Sequence, residues 1–146
     1  SPVGIASLDP LDLSRLTTLT KISTGLSPVS SLPVSLVECR VVLWSDTDLS
    51  SLTNLTFLVL SLVCEYRVTF PTGLKALCLT QGNLTNTNVA VIALESFEWR
   101  QGRPITRNDL TMLPKTLKKL DGRFEQDLLN GSLRVMFPLL VETYHR

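Results

Sequence analysis

The sequence predicts an α/β fold built as a repeat, with short parallel strands stacked into one sheet. Leucine supplies 29 of the 146 residues, so one residue type used periodically must build much of the core. Apolar residues recur in a fixed pattern, at first, fourth and sixth places, and the pattern returns at nearly constant intervals. Those intervals are too short to hold both a strand and a long helix, so the returns are extended or 3₁₀.

The units follow in order. Four open on an apolar residue and proline: Leu32-Pro33, Phe70-Pro71, Leu113-Pro114 and Phe137-Pro138. Each then gives apolar, two others, apolar, and usually one more apolar residue after a single spacer. The series is Leu36/Cys39/Val41, Leu74/Leu77/Leu79, Leu117/Leu120/Gly122 and Val141/Tyr144/Arg146. Two units without proline fall between them, Leu55/Leu58/Leu60 and Leu94/Phe97/Trp99. Their first members lie 19, 19, 20, 23 and 24 residues apart. Self-similarity at such a period marks a stacked-repeat architecture. The alternating part of each unit has the period of a strand with one buried face. Strands are expected near 38–42, 57–61, 76–80, 96–100 and 119–123, with a sixth near 143–146. The prolines suit the irregular entry to each strand, because proline cannot donate to a ladder. Thr106-Arg107-Asn108-Asp109 reads as a capped helical turn in one of the longer returns.

The pattern resembles the leucine-rich repeat family, seen best in Leu55-Thr-Phe-Leu58-Val-Leu60 and Leu74-Lys-Ala-Leu77-Cys-Leu79. The family's asparagine ladder is missing, since the corresponding positions are Trp44, Val63, Gly82, Gly102 and Glu125. The Leu-Pro-x-x-Leu openings are similar to the short repeats of bacterial effector ligases. Leu113-Pro-Lys-Thr-Leu117-x-x-Leu120-x-Gly122-x-Phe124-x-Gln126 is similar to the FNIP-type repeat. The resemblance implies a solenoid with a parallel concave sheet and a mostly irregular or 3₁₀ convex side. It covers an array of about six units over 32–146. Residues 1–31 are expected to form a degenerate first repeat or cap, in which Leu13, Leu16 and Leu19 are spaced by threes.

Composition excludes several functions. A formal net charge of +1 gives no bulk attraction to nucleic acid or a membrane surface. No run reaches the 18 or so apolar residues of a membrane span. Basic groups gather late: residues 1–73 carry four basic and six acidic side chains, residues 74–146 ten and seven. The odd cysteine count (Cys39, Cys64, Cys78) leans towards a reducing, cytoplasmic compartment. Three sequons, at Asn54, Asn83 and Asn130, point instead to a secreted or cell-surface chain, so the compartment stays open. The opening Ser1-Pro2 reads as a trimmed segment. A last strand without a polar cap suggests either further repeats or self-association through an open edge.

Catalytic candidates are scarce. The sole histidine, His145, reads as a surface group, and no nucleotide, zinc or serine-hydrolase motif occurs. No cofactor is expected. Asp46-Thr-Asp48 reads as an Asx-type turn. Cys39 takes a leucine position and is expected buried and inert, whereas Cys78 is expected to face outward and react readily.

The informative surface is the outward face of the strands. Phe57, Val59, Ala76 and Cys78 are expected to form an apolar patch there. Glu98, Arg100, Lys119, Asp121 and Arg123 are expected to form a charged cluster beside it. The partner-binding candidates are therefore Phe57, Val59, Cys78, Glu98, Arg100, Asp121 and Arg123, for a protein partner of unspecified identity. The expected function is non-catalytic protein–protein interaction through the concave face. The alternatives are a substrate-recognition segment of a larger enzyme, such as a ubiquitin ligase, or a structural module of a larger assembly.

Overall fold

A computed structural model describes residues 11–12, 18–23 and 29–146. Among them the chain is α/β, with an open seven-stranded sheet and few, short helices. The sheet's strands are β2 (Lys21–Ser23), β4 (Glu38–Leu43), β6 (Phe57–Leu62), β8 (Ala76–Gln81), β9 (Ser96–Trp99), β10 (Lys119–Gly122) and β11 (Glu142–His145). Each pairs in parallel with the next, so spatial order equals chain order. Two smaller parallel pairs join β1 (Leu11–Asp12) to β3 (Val29–Ser31), and β5 (Thr47–Asp48) to β7 (Val68–Thr69). Residues 1–10, and with them Leu13 and Leu16, lie outside the described residues.

The leucine pattern becomes three buried lines. Leu36, Leu55, Leu74, Leu94, Leu117 and Leu140 form the first, at the strand entries. Cys39, Leu58, Leu77, Phe97 and Leu120 form the second, in register across β4 to β10. Val41, Leu60, Leu79 and Trp99 form the third, which ends on Gly122. Gly122 is required there, because a Cβ would lie 2.9 Å from the Trp99 Cβ and 3.0 Å from the Ile105 Cδ1. Bulk on one strand is matched by its absence on the next.

A backbone device sets the strand entries. The Val37 carbonyl accepts from the N–H groups of both Thr56 (2.9 Å) and Phe57 (3.2 Å). The Thr56 carbonyl does the same for Lys75 and Ala76, Lys75 for Glu95 and Ser96, Glu95 for Lys118 and Lys119, and Lys118 for Val141 and Glu142. Thr20 begins the series by accepting from Val37 and Glu38. Each acceptor directly follows the first leucine of its unit, or Leu19 in the case of Thr20. The tight turn before that leucine is closed by a bond to the proline carbonyl, as from Leu36 N–H to Pro33 (3.3 Å) and Leu74 N–H to Pro71 (3.2 Å).

The returns are mostly irregular. They hold 3₁₀ turns at Val89–Val91 and Gln126–Leu129, and short helices at Arg107–Leu110 and Ser132–Met136. The expected capped turn is present: Thr106 and Asp109 form a reciprocal capping box. Asn88 ties two returns together, its side chain bonding both the N–H (2.6 Å) and the carbonyl (3.1 Å) of Phe70.

Leu19 and Ile22 lead into the first strand of the sheet, where Ile22 pairs with Cys39 and packs on the core. A bulge after Leu60 brings Gln81, not Thr80, opposite Ser61, and the Ser61 hydroxyl bonds the Gln81 side chain at 3.0 Å. One expectation on register needs correction: the last unit begins at Leu140, not Val141. Its turn closes on the Phe137 carbonyl, one residue ahead of proline, which leaves Leu140 buried and Val141 69% exposed.

Two substitutions test this packing. Leu58→Ala removes a side chain with no exposure and is expected to cost about 2–5 kcal/mol in chemical denaturation. Gly82 has φ +92°, and an added Cβ would lie 2.7 Å from both the Leu62 Cβ and its carbonyl oxygen. Gly82→Ala is expected to cost about 2–4 kcal/mol in the same measurement.

Candidate functional site

The open face of the sheet presents side chains that alternate with the buried lines. Two columns run across it in register. The first is Lys21, Glu38, Phe57, Ala76, Ser96, Lys119 and Glu142. The second is Ser23, Arg40, Val59, Cys78, Glu98, Asp121 and Tyr144. Neighbours within a column are about 4.8 Å apart along the sheet, so each side chain shades the next.

The apolar patch is smaller than the sequence suggests. Phe57 is 37% exposed, but Val59 is buried at 8% and Cys78 at 3%. The expectation of an accessible Cys78 is therefore corrected. Its side chain is short, and it stands between Val59 and Glu98 in a column of longer groups. Burial, and after it the Glu98 carboxylate, push the Cys78 thiol up to about 12. Burial alone does the same to Cys39, as expected for a leucine position. Neither is a thiolate near neutrality, so neither is a nucleophile there. Cys64 is exposed.

Phe57 borders an indentation of about 280 Å³ at the β2–β6 end of the face. Ile22, Arg40 and Val59 share its lining, with the Lys21–Glu38 ion pair (3.3 Å) at the rim. One aromatic ring beside opposite charges is an arrangement that fits a side chain from another molecule.

The charged cluster occupies the other end. Arg100 grips Glu98 through Nε (2.8 Å) and Nη2 (2.9 Å). That contact holds the Glu98 carboxyl down at about 2, against the desolvation that opposes it. Asp121 is buried at 6%, and Arg146 holds it bidentately at 2.6 and 2.9 Å. Arg146 was placed on the core line by the sequence pattern. The one-residue shift of β11 turns it outward, where it reaches Asp121 and Glu98. A stronger weight on Leu140 than on Val141 would have found it. Arg123 does not join the ion pairs; its guanidinium donates to the Gly102 carbonyl. Lys119 leaves the cluster too and lies over the Tyr144 ring at 5.4 Å.

The remaining candidates are structural. Asp48 accepts from the Ser50 N–H at 2.9 Å, the expected Asx turn, while Asp46 accepts from the Arg67 N–H at 2.8 Å. His145 stacks on Phe124 and accepts from its N–H at Nδ1 (3.3 Å). Among the described residues no three histidine, cysteine, aspartate or glutamate side chains group as metal ligands. No family model, curated protein or solved structure matches the chain.

Two measurements follow from the site. With a thiol reagent at neutral pH, Cys64 is expected to label fast and Cys39 and Cys78 only on unfolding; fast native labelling of Cys78 would contradict its burial. Glu98 titrates lower folded than its ordinary value of 4.5, so its ion pair stabilises the fold above that pH. This contribution is expected to fade as pH falls from about 4.5 to about 2, and Glu98→Gln should remove that part of an acid denaturation profile.

Proposed function

We propose that this chain is a protein–protein interaction module without catalysis of its own, a leucine-rich-repeat solenoid whose concave sheet face binds a protein partner. The observation that carries this reading is Phe57, an aromatic ring 37% exposed on a sheet face beside an indentation. Leaving such a ring in water forgoes burial of its apolar area, and aromatic anchors next to a pocket are what interface hot spots are made of. The solenoid reading is supported by the three in-register buried lines and by the carbonyl series that repeats from Thr20 to Lys118. The non-catalytic reading is supported by the engaged state of the reactive groups: two thiols held protonated by burial, and a histidine packed on Phe124.

Val59 contributes the floor of the indentation rather than a projecting anchor. In this reading Glu98, Arg100 and Arg123 form the polar part of the contact surface, while Cys78 and Asp121, both buried, support it. Charged groups there steer approach and fix orientation more than they add affinity.

The test compares affinity capture by the wild type and by Phe57→Glu, read by mass spectrometry. A protein captured by the first and lost by the second supports the reading. Titration calorimetry with that protein is then expected to show Phe57→Ala weakening binding by about 1–3 kcal/mol. Folding stability should fall by less than in Leu58→Ala, because the ring is partly exposed whereas Leu58 has no exposure. A partner indifferent to Phe57, Glu98, Arg100 and Arg123 would place binding on another surface.

A further inference from the structure

Arg100, Arg123 and Arg146 directly follow the ends of β9, β10 and β11, two residues past Glu98, Asp121 and Tyr144 of the second column. Like charges one strand apart repel, and a sheet tolerates them only when something compensates. Glu98 compensates Arg100, and Asp121 compensates Arg146. Two carboxylates thus occupy two guanidinium forks. Arg123 is the surplus cation: among the described residues no carboxylate lies within ion-pairing distance of it, and its partner is the neutral carbonyl of Gly102.

The three arginines line a cleft of about 390 Å³ together with Trp99, Gln101 and Gly102. Its shape is held from behind. The Trp99 indole N–H donates to the Arg103 carbonyl at 2.8 Å, and the Arg103 guanidinium covers the ring at 4.6 Å. Asp109 holds that guanidinium through both oxygens, at 2.8 and 3.1 Å. Trp99 is therefore a firmly held part of the lining, and the uncompensated Arg123 lines the same cleft.

We propose that this cleft binds a phosphate-type oxyanion, either free or carried on a side chain of another molecule. A tetrahedral anion offers oxygens in several directions, so it can take the Arg123 fork and still face the Nη1 groups of Arg100 and Arg146, which Glu98 and Asp121 do not engage. Binding exchanges the Gly102 carbonyl for a charged acceptor, and charge-assisted hydrogen bonds are the stronger kind. The proposal shares Arg100 and Arg123 with the partner reading but is tested apart from it, since it is measured with small anions, without a protein partner and away from Phe57.

The experiment follows the arginine Nε–Hε cross-peaks of the ¹⁵N-labelled protein while inorganic phosphate replaces chloride at constant ionic strength. A saturable movement of the Arg123 peak is expected. Arg123→Gln should weaken phosphate binding about tenfold, and Arg123→Lys, which keeps charge but loses the fork, about threefold. Lys115→Gln removes the same charge from an exposed position elsewhere and should change nothing. Amide spectra of the variants show whether each remains folded, and the wild-type titration stands if one does not. Phosphoserine amide runs in parallel: tighter binding than phosphate assigns the group to a phosphorylated side chain, and equal or weaker binding assigns it to a free anion. No saturable movement in either titration, or equal weakening by Lys115→Gln and Arg123→Gln, would overturn the proposal.

Discussion

One carbonyl accepting two successive N–H groups is the contact on which the sheet depends. Thr20, Val37, Thr56, Lys75, Glu95 and Lys118 each make it, and each sits one residue past a residue of the first apolar line. The consequence is a fixed phase. Once two neighbouring N–H groups point at one oxygen, the strand that follows has a single register, and its alternate side chains fall on the core. Slippage by one residue would turn every leucine outward. The returns escape this constraint, which is why the interval between units grows from 17 residues to 23 while the strand entries stay alike.

The charges at those entries follow from the same geometry. Lys75, Glu95 and Lys118 supply successive acceptors, so their side chains stand in a row, and Glu95 pairs with Lys75 at 3.4 Å and Lys118 at 3.6 Å. These pairs are well exposed and add little stability singly. Their alternation of sign matters more, because a row of like charges at strand spacing would oppose stacking. On the open face the sequence is less orderly. Glu98 and Asp121 are adjacent acids, and arginines from the next positions bring them back into balance.

The middle of the fold was legible because the pattern there has no competitor. In Leu55-x-x-Leu58-x-Leu60 and Leu74-x-x-Leu77-x-Leu79 only one phase places all three leucines inside. The first strand was hidden by leucines spaced in threes, which support several phases equally, until Ile22 pairs with Cys39. The last was misread because proline marked the turn in the earlier units, whereas here the Phe137 carbonyl closes it. The face was legible in direction but not in depth. Alternation tells which way Cys78 points; it says nothing of the neighbours that cover it. Charge pairing was hidden for a related reason, since Asp121 bonds the arginine of the next strand, Arg146, and not Arg123 of its own.

The spacing of the pairings bears on how quickly such a sheet can assemble. Parallel sheets are slow to form when their strands are distant in sequence, because loop closure is costly before any contact rewards it. Here partners such as Cys39 and Leu58, or Leu77 and Phe97, are 19 or 20 residues apart, and the widest steps, Phe97 to Leu120 and Leu120 to Thr143, span 23. Every added strand closes a loop of the same modest size onto a template already present. The search therefore does not lengthen as strands are added, and a nucleus in the leucine-only middle can grow towards both ends by repetition of a single local step.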